Sequence, residues 1–149
     1  MKLDSKYNHT QIGYLIIFAL LAIILYFRFI LARADLNLLV IIIMLPIVFL
    51  LLSFISLNVV VDEKYLRIKF GYGIFKKHFA LEEITSVKTA RNHWYYGWGI
   101  RGWAWPPMQI YNVSGFDAIE IKMENDKTYR IGTDEPKNLE CAVKQAIKQ

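Results

Sequence analysis

Cysteine is nearly missing from this chain of 149 residues, and Cys141 stands alone. A single cysteine excludes an internal disulfide framework and any cysteine-based zinc site. Histidine is scarce too. His9, His78 and His93 fall in no HExxH or comparable spacing, and no acidic pair accompanies them on one helix face. No GxSxG stretch and no Ser/His/Asp set occurs. Gly97, Gly99 and Gly102 form a loose glycine-rich stretch, but no helix N-terminus is expected after it to hold a phosphate. The sequence therefore carries no expected catalytic residues, no metal site and no cofactor site, and an enzyme is not expected. Strong charge of one sign is also lacking. The net charge is +5, and 14 of the 18 Lys and Arg lie after residue 57 together with 11 of the 13 acids. So mild and interspersed a surplus does not make a nucleic-acid surface. It suits a weak attraction to an anionic membrane leaflet.

Apolar residues, in contrast, are abundant and concentrated. Hydrophobic residues make up 55% of the chain, and the excess sits in residues 12–57. Residues 1–11 read as a short N-terminal segment. Residues 12–31, IGYLIIFALLAIILYFRFIL, are enough for one membrane-spanning helix of about 30 Å. The sole charge, Arg28, is near enough to the end to snorkel. Residues 36–57, LNLLVIIIMLPIVFLLLSFISL, contain no charge and predict a second span, kinked at Pro46. The connection 32–35 is so short that the spans must be antiparallel neighbours, with both chain ends on one side. Lys2, Lys6, Lys64, Arg67 and Lys69 flank the spans on that side, against Arg28 and Arg33 at the hairpin tip. The positive-inside rule makes the termini and the following domain cytoplasmic, in a two-span protein of the cell membrane. Ala32-Arg33-Ala34 resembles a signal-peptidase site, but the apolar stretch is too long for an h-region and two arginines crowd the cleavage point.

From residue 58 the apolar run gives way to alternation, and a first strand, VVV, ends at the turn-like cluster Asp62-Glu63-Lys64. Leu66, Ile68 and Phe70 face one way, with Tyr65, Arg67 and Lys69 opposite. Gly71-Tyr72-Gly73 predicts a turn. Further strands are expected at 74–80, at 84–91 with a bulge, at 108–113 with a short partner at 99–101, at 118–124, and at 127–133 after an Asn125-Asp126 turn. Leu139, Ala142, Val143, Ala146 and Ile147 have helical spacing, so a helix is expected at about 135–148, with Asp134 as its N-cap and Pro136 in its first turn. Cys141 lies beside the stripe as a small helix residue. Residues 58–149 thus have the order of a pleckstrin-homology-like domain. Seven strands form a partly open barrel or orthogonal sandwich, and a C-terminal helix caps it.

Short motifs point the same way. Phe79-Ala80-Leu81-Glu82-Glu83-Ile84-Thr85-Ser86-Val87 resembles the PLEEIxSV stretch of bacterial pleckstrin-homology-like membrane proteins. Trp98-Gly99-Ile100-Arg101, Tyr111-Asn112-Val113-Ser114-Gly115 and Ile131-Gly132-Thr133-Asp134-Glu135-Pro136 resemble that group in the same order, as does the two-span hairpin ahead of them. The resemblance implies a fold and a membrane location, and no catalytic residues.

Two candidate surfaces emerge. All four tryptophans, Trp94, Trp98, Trp103 and Trp105, fall in NHWYYGWGIRGWAWPP with Tyr95 and Tyr96. Amphipathic rings suit a membrane interface or a protein partner. Trp98 is the ring expected in the core, with Trp103 and Trp105 more exposed, and Arg101 is expected to stack on a ring or pair with an acid. Lys64, Arg67 and Lys69 are the candidate lipid-headgroup residues, set against a plain solvated strand face, with Asp62 and Glu63 opposing a phosphate. The expected role is a membrane-anchored binding or scaffold module whose partners are membrane lipids, a protein or a second copy, and not nucleic acid. The alternative is a structural subunit of a membrane complex.

Overall fold

The computed structural model describes residues 7–33, 38–104 and 107–148, with the side chain of Trp103 excepted. A strand precedes the first helix, a departure from the expected plain N-terminal segment. This β1 (Tyr7–Ile12) is followed by α1 (Tyr14–Arg33) and α2 (Leu38–Ser53). Then come β2 (Ser56–Val61), β3 (Tyr65–Phe70), β4 (Lys76–Ala80), β5 (Ile84–Arg91), β6 (Gly99–Ala104), β7 (Pro107–Asn112), β8 (Asp117–Met123), β9 (Thr128–Gly132) and α3 (Pro136–Ile147).

Among the described residues nine strands, not seven, form two open sheets: β1-β2-β3-β4, and β5-β8-β9-β7-β6 with β7 and β9 parallel. The two additional strands have different origins. β1 arises because the N-terminal residues pair with β2 along their whole length, from Tyr7↔Val61 to Ile12↔Ser56. β6 is longer than the three-residue partner expected, and it pairs with all of β7. The predicted bulge in β5 is present, between Ile84 and Ser86.

Alternation decides which face each strand buries. Leu57, Val59 and Val61 from β2 meet Leu66, Ile68 and Phe70 from β3. Ile119, Ile121 and Ile131 face them from the second sheet, and Leu139 and Val143 of α3 close the same core. Burial of this kind contributes roughly 1.5–3 kcal/mol per large side chain. α3 lacks the expected cap: Asp134 instead meets His9 Nε2 at 2.5 Å, and the N-cap position falls to Glu135 without a side-chain bond. Tyr7 Oη donates to Glu135 Oε2 at 3.4 Å, so β1 is clasped to the start of α3.

α1 is 20 residues long and apolar enough to cross a membrane by length and composition. Its side chains are exposed around the helix, with Phe18 at 71% and Leu25 at 66%, unlike the core helix of a soluble domain. Only Ile16, near its start, joins the domain core. α2 runs through Pro46 and packs on α1, and its described part is about 24 Å long. It ends earlier than the predicted second span, because Ser56 and Leu57 belong to β2 and Leu57 is wholly buried. Since β1 and β2 are hydrogen-bonded, the strand before α1 and the strand after α2 lie on the same side of any membrane the helices enter.

Candidate functional site

Both helices leave the domain at one end, and the backbone there is tightly tied. Gly13 N donates to Ile55 O at 2.8 Å. Ser53 Oγ donates to Leu50 O at 2.6 Å as α2 finishes. Phe54 then stacks on Phe75 at 5.0 Å and meets Phe70 edge-on at 5.3 Å. The β3–β4 turn seats directly on the end of α2. Gly71 has φ +41, and a Cβ there would stand 2.6 Å from Ser53 O. Tyr72 stacks on Phe49 of α2 at 6.0 Å. Ile12, Tyr14, Tyr72 and Ile74 are all exposed at this end.

The aromatic segment begins at the same end. β5 closes at Arg91 opposite Asp117, and Asn92 N donates to Phe116 O at 2.6 Å. The loop carrying Phe116 is held to β1 by Gln11 Nε2, which donates to Ser114 O at 2.9 Å. Trp94–Tyr96 form one 3-10 turn. Within it His93 stacks on Tyr95 at 5.1 Å, and Tyr95 meets Tyr96 edge-on at 4.9 Å. Tyr96 is the core ring. It is 6% exposed, packs with Met108 and Ile110 in a small second cluster, and has Arg130 over its face at 5.6 Å. Trp98, expected in the core, is only half-buried, and its Nε1 has no partner among the described residues. Trp94 is 76% exposed, the most exposed large apolar side chain among the described residues. Arg101 neither stacks nor forms an ion pair among the described residues. Its Nε donates to Trp98 O at 3.4 Å.

β6 then runs back across the sheet, from Gly99 opposite Asn112 to Ala104 opposite Pro107. Five steps of extended chain carry it about 17 Å from the helix-bearing end. The predicted aromatic segment is therefore spread along the sheet. It leaves the helix-bearing end at Asn92 and returns to it at Gly99, Tyr96 reaches over the sheet to Met108 and Ile110, and the Trp103 position is opposite Met108 at the far end. Trp105 lies outside the described residues. A groove of about 540 Å3 opens at that far end, lined in part by Ala104, Met108, Asn125, Lys127 and Tyr129.

The basic trio is divided. Asp62 is 5% exposed, and its Oδ1 accepts from the backbone N–H of Lys64 at 3.1 Å and of Tyr65 at 2.8 Å. Its Oδ2 holds Arg67 Nη2 at 2.7 Å, so Arg67 already has a carboxylate. Lys64 sits in the turn at the far end of β3. Lys69, about 13 Å further along, is opposite Asn58 on one side and Lys76 on the other. Phe116, Tyr72, Ile74 and Lys76 were not singled out by sequence reasoning. The readable signal was an apolar pair, Tyr72 and Ile74, in a glycine turn where polar residues are usual.

Among the described residues, no group of three or more His, Cys, Asp or Glu side chains is arranged to hold a metal. His78 is exposed on β4 opposite Arg67, and Cys141 is an exposed free thiol on α3. Comparison with family models, curated proteins and solved structures gives no match.

Proposed function

We propose that this chain is a membrane-anchored binding module, with α1 and α2 as a two-span hairpin and a pleckstrin-homology-like domain held against the cytoplasmic bilayer surface. One observation carries this reading. Ile12, Phe116, Tyr72 and Ile74 are exposed at the end from which the apolar helices depart, and the segment that carries the exposed Trp94 and Tyr95 starts from that end at Asn92. Trp and Tyr are favoured at the depth of the headgroups, where a ring is half in hydrocarbon and its polar edge remains wet. The fold reading draws support from two sheets sharing one core with a C-terminal helix across them. The orientation draws support from Lys and Arg flanking the helices on the domain side.

The test uses the full chain with Trp98, Trp103 and Trp105 replaced by Phe, so that Trp94 alone fluoresces. Reconstituted in vesicles with shallow brominated lipids, Trp94 is expected to lose most of its emission. Emission indifferent to bromine would remove the interfacial role. A structural-subunit reading has one observation in its favour, the exposed apolar flanks of α1 and α2, which would also pack well inside a membrane complex. Extraction in mild detergent separates the two: a stoichiometric partner that survives purification favours the subunit.

A further inference from the structure

The geometry points to a site for the phosphate of an anionic lipid headgroup between Lys69 and Lys76, on the outer face of the four-stranded sheet. This inference rests on the membrane-anchored reading above and adds the ligand and the residues. Lys69 of β3 and Lys76 of β4 are directly opposite in register. Both stems bend over Gly73, where a Cβ would stand 2.8 Å from Lys76 Cε and 3.2 Å from Lys69 Cε. Two ammonium groups are thus drawn together with no carboxylate within 4 Å of either among the described residues. Like charges directly opposite on neighbouring strands repel, and an anion seated between them reverses the sign. The rest of that row is uncharged, with Asn58 and Thr10 completing it across β2 and β1.

What lies beside this row identifies the anion as a lipid. One pleat further along the same face, about 7 Å away, the row reads Ile12, Ser56 and Gly71 and leads into Tyr72 and Ile74. Ile12, Tyr72 and Ile74 are exposed, and Tyr72 rests on Phe49 one turn before the end of α2. The outer face therefore passes from apolar to doubly cationic over the distance that separates acyl chains from phosphates. A soluble phosphate would gain nothing from the apolar rim. The headgroup of a lipid whose chains lie along α2 matches both rows, and lysines hold its phosphate as point charges.

The experiment follows thermal unfolding of the full chain in neutral detergent with dihexanoyl-phosphatidylglycerol, dihexanoyl-phosphatidylcholine or inorganic phosphate added. Phosphatidylglycerol is expected to raise Tm by a few degrees, less so at high salt, and phosphatidylcholine to leave it unchanged. The K69Q/K76Q variant is expected to unfold at the parent Tm without lipid and to lose the phosphatidylglycerol shift. K69R/K76R is expected to keep it, and so is K64Q at the other end of β3. An undiminished shift in K69Q/K76Q, or an equal shift with phosphatidylcholine, would overturn the site. An equal shift with inorganic phosphate would overturn its assignment to lipid. Alkaline carbonate extraction keeps the two levels apart. Release of the chain from membranes defeats the anchored reading, whereas retention without phosphatidylglycerol preference defeats the headgroup site alone.

Discussion

Asp62 ties a turn and an arginine together through one carboxylate. It is nearly buried, accepts two backbone N–H groups of the β2–β3 turn and pairs with Arg67. A buried charge is tolerated only when paired and hydrogen-bonded, so removing it strands three donors at once. Asp62→Ala is expected to cost about 2–4 kcal/mol, a fall in Tm large enough to read by circular dichroism. A change within about 0.5 kcal/mol would mean that water replaces the carboxylate at no cost. Gly71 is a second such position, for steric reasons. Its φ is positive, and a methyl group on its Cα would stand 2.6 Å from the Ser53 carbonyl oxygen, which leaves no room for a side chain. Gly71→Val is expected to destabilise by about 2 kcal/mol or more and to loosen the contact between Tyr72 and Phe49.

At the scale of elements, strands are cross-linked by charge as well as by backbone. Glu120 of β8 stands between Lys88 of β5 at 2.9 Å and Arg130 of β9 at 2.8 Å. Burial alone would raise the Glu120 carboxyl, but hydrogen bonds from Lys88 and Arg130 outweigh it and hold the group below its ordinary value of 4.5. A carboxyl depressed in the folded state contributes stability above its unfolded value, and that stability is lost as pH falls through the depressed value. Unfolding followed from about pH 6 to about pH 3 is therefore expected to show a decline that Glu120→Gln flattens. An unchanged slope in the variant would assign the acid sensitivity to other carboxylates. β1 is the other element with a measurable role. Removing residues 1–12 takes away a strand paired along all of β2 together with the His9–Asp134 contact. The truncated chain is expected to aggregate or unfold well below the parent, because the new edge at β2 is long and largely apolar. Retention of the parent Tm would make β1 dispensable.

For the whole molecule, the shared sheet of β1 and β2 ties topology to fold. Signal-peptide cleavage near Ala32 would strip β1 from a sheet it helps to build, so the intact mass of the membrane form is expected to include the N-terminal strand. Cys141 is an exposed native thiol on the domain side of the hairpin. The proposed cytoplasmic orientation predicts that a membrane-impermeant maleimide spares Cys141 in intact cells and labels it after lysis. Arg33→Cys at the hairpin tip, in a chain with Cys141→Ser, is expected to label from outside. Labelling of Cys141 in intact cells would reverse the orientation and leave the fold untouched.

Local order was legible without a structure wherever one short stretch carried its own periodicity. Leu66, Ile68 and Phe70 and the Ile119–Met123 alternation each state a buried face within a few residues and are buried as read; of the α3 stripe, Leu139, Val143 and Ala146 are buried, Ala142 is partly buried and Ile147 at its end is exposed. The apolar character of α1 was legible for the same reason, since a run of 20 residues needs no partner to declare itself. What tertiary structure alone decided is every relation between distant stretches. Tyr7–Ile12 carries only weak alternation and becomes a strand because Ser56–Val61 offers it an edge. Asp134 looked like a helix cap and became the partner of His9, 125 residues away. The aromatic segment read as one surface because its rings are neighbours in sequence. An extended strand moves along its sheet by about 3.3 Å per residue, so β6 carries the Trp103 position about 13 Å from Gly99. The two lysines that share a row, Lys69 and Lys76, are joined only by register, which the turn over Gly73 sets and no spacing rule along the chain displays.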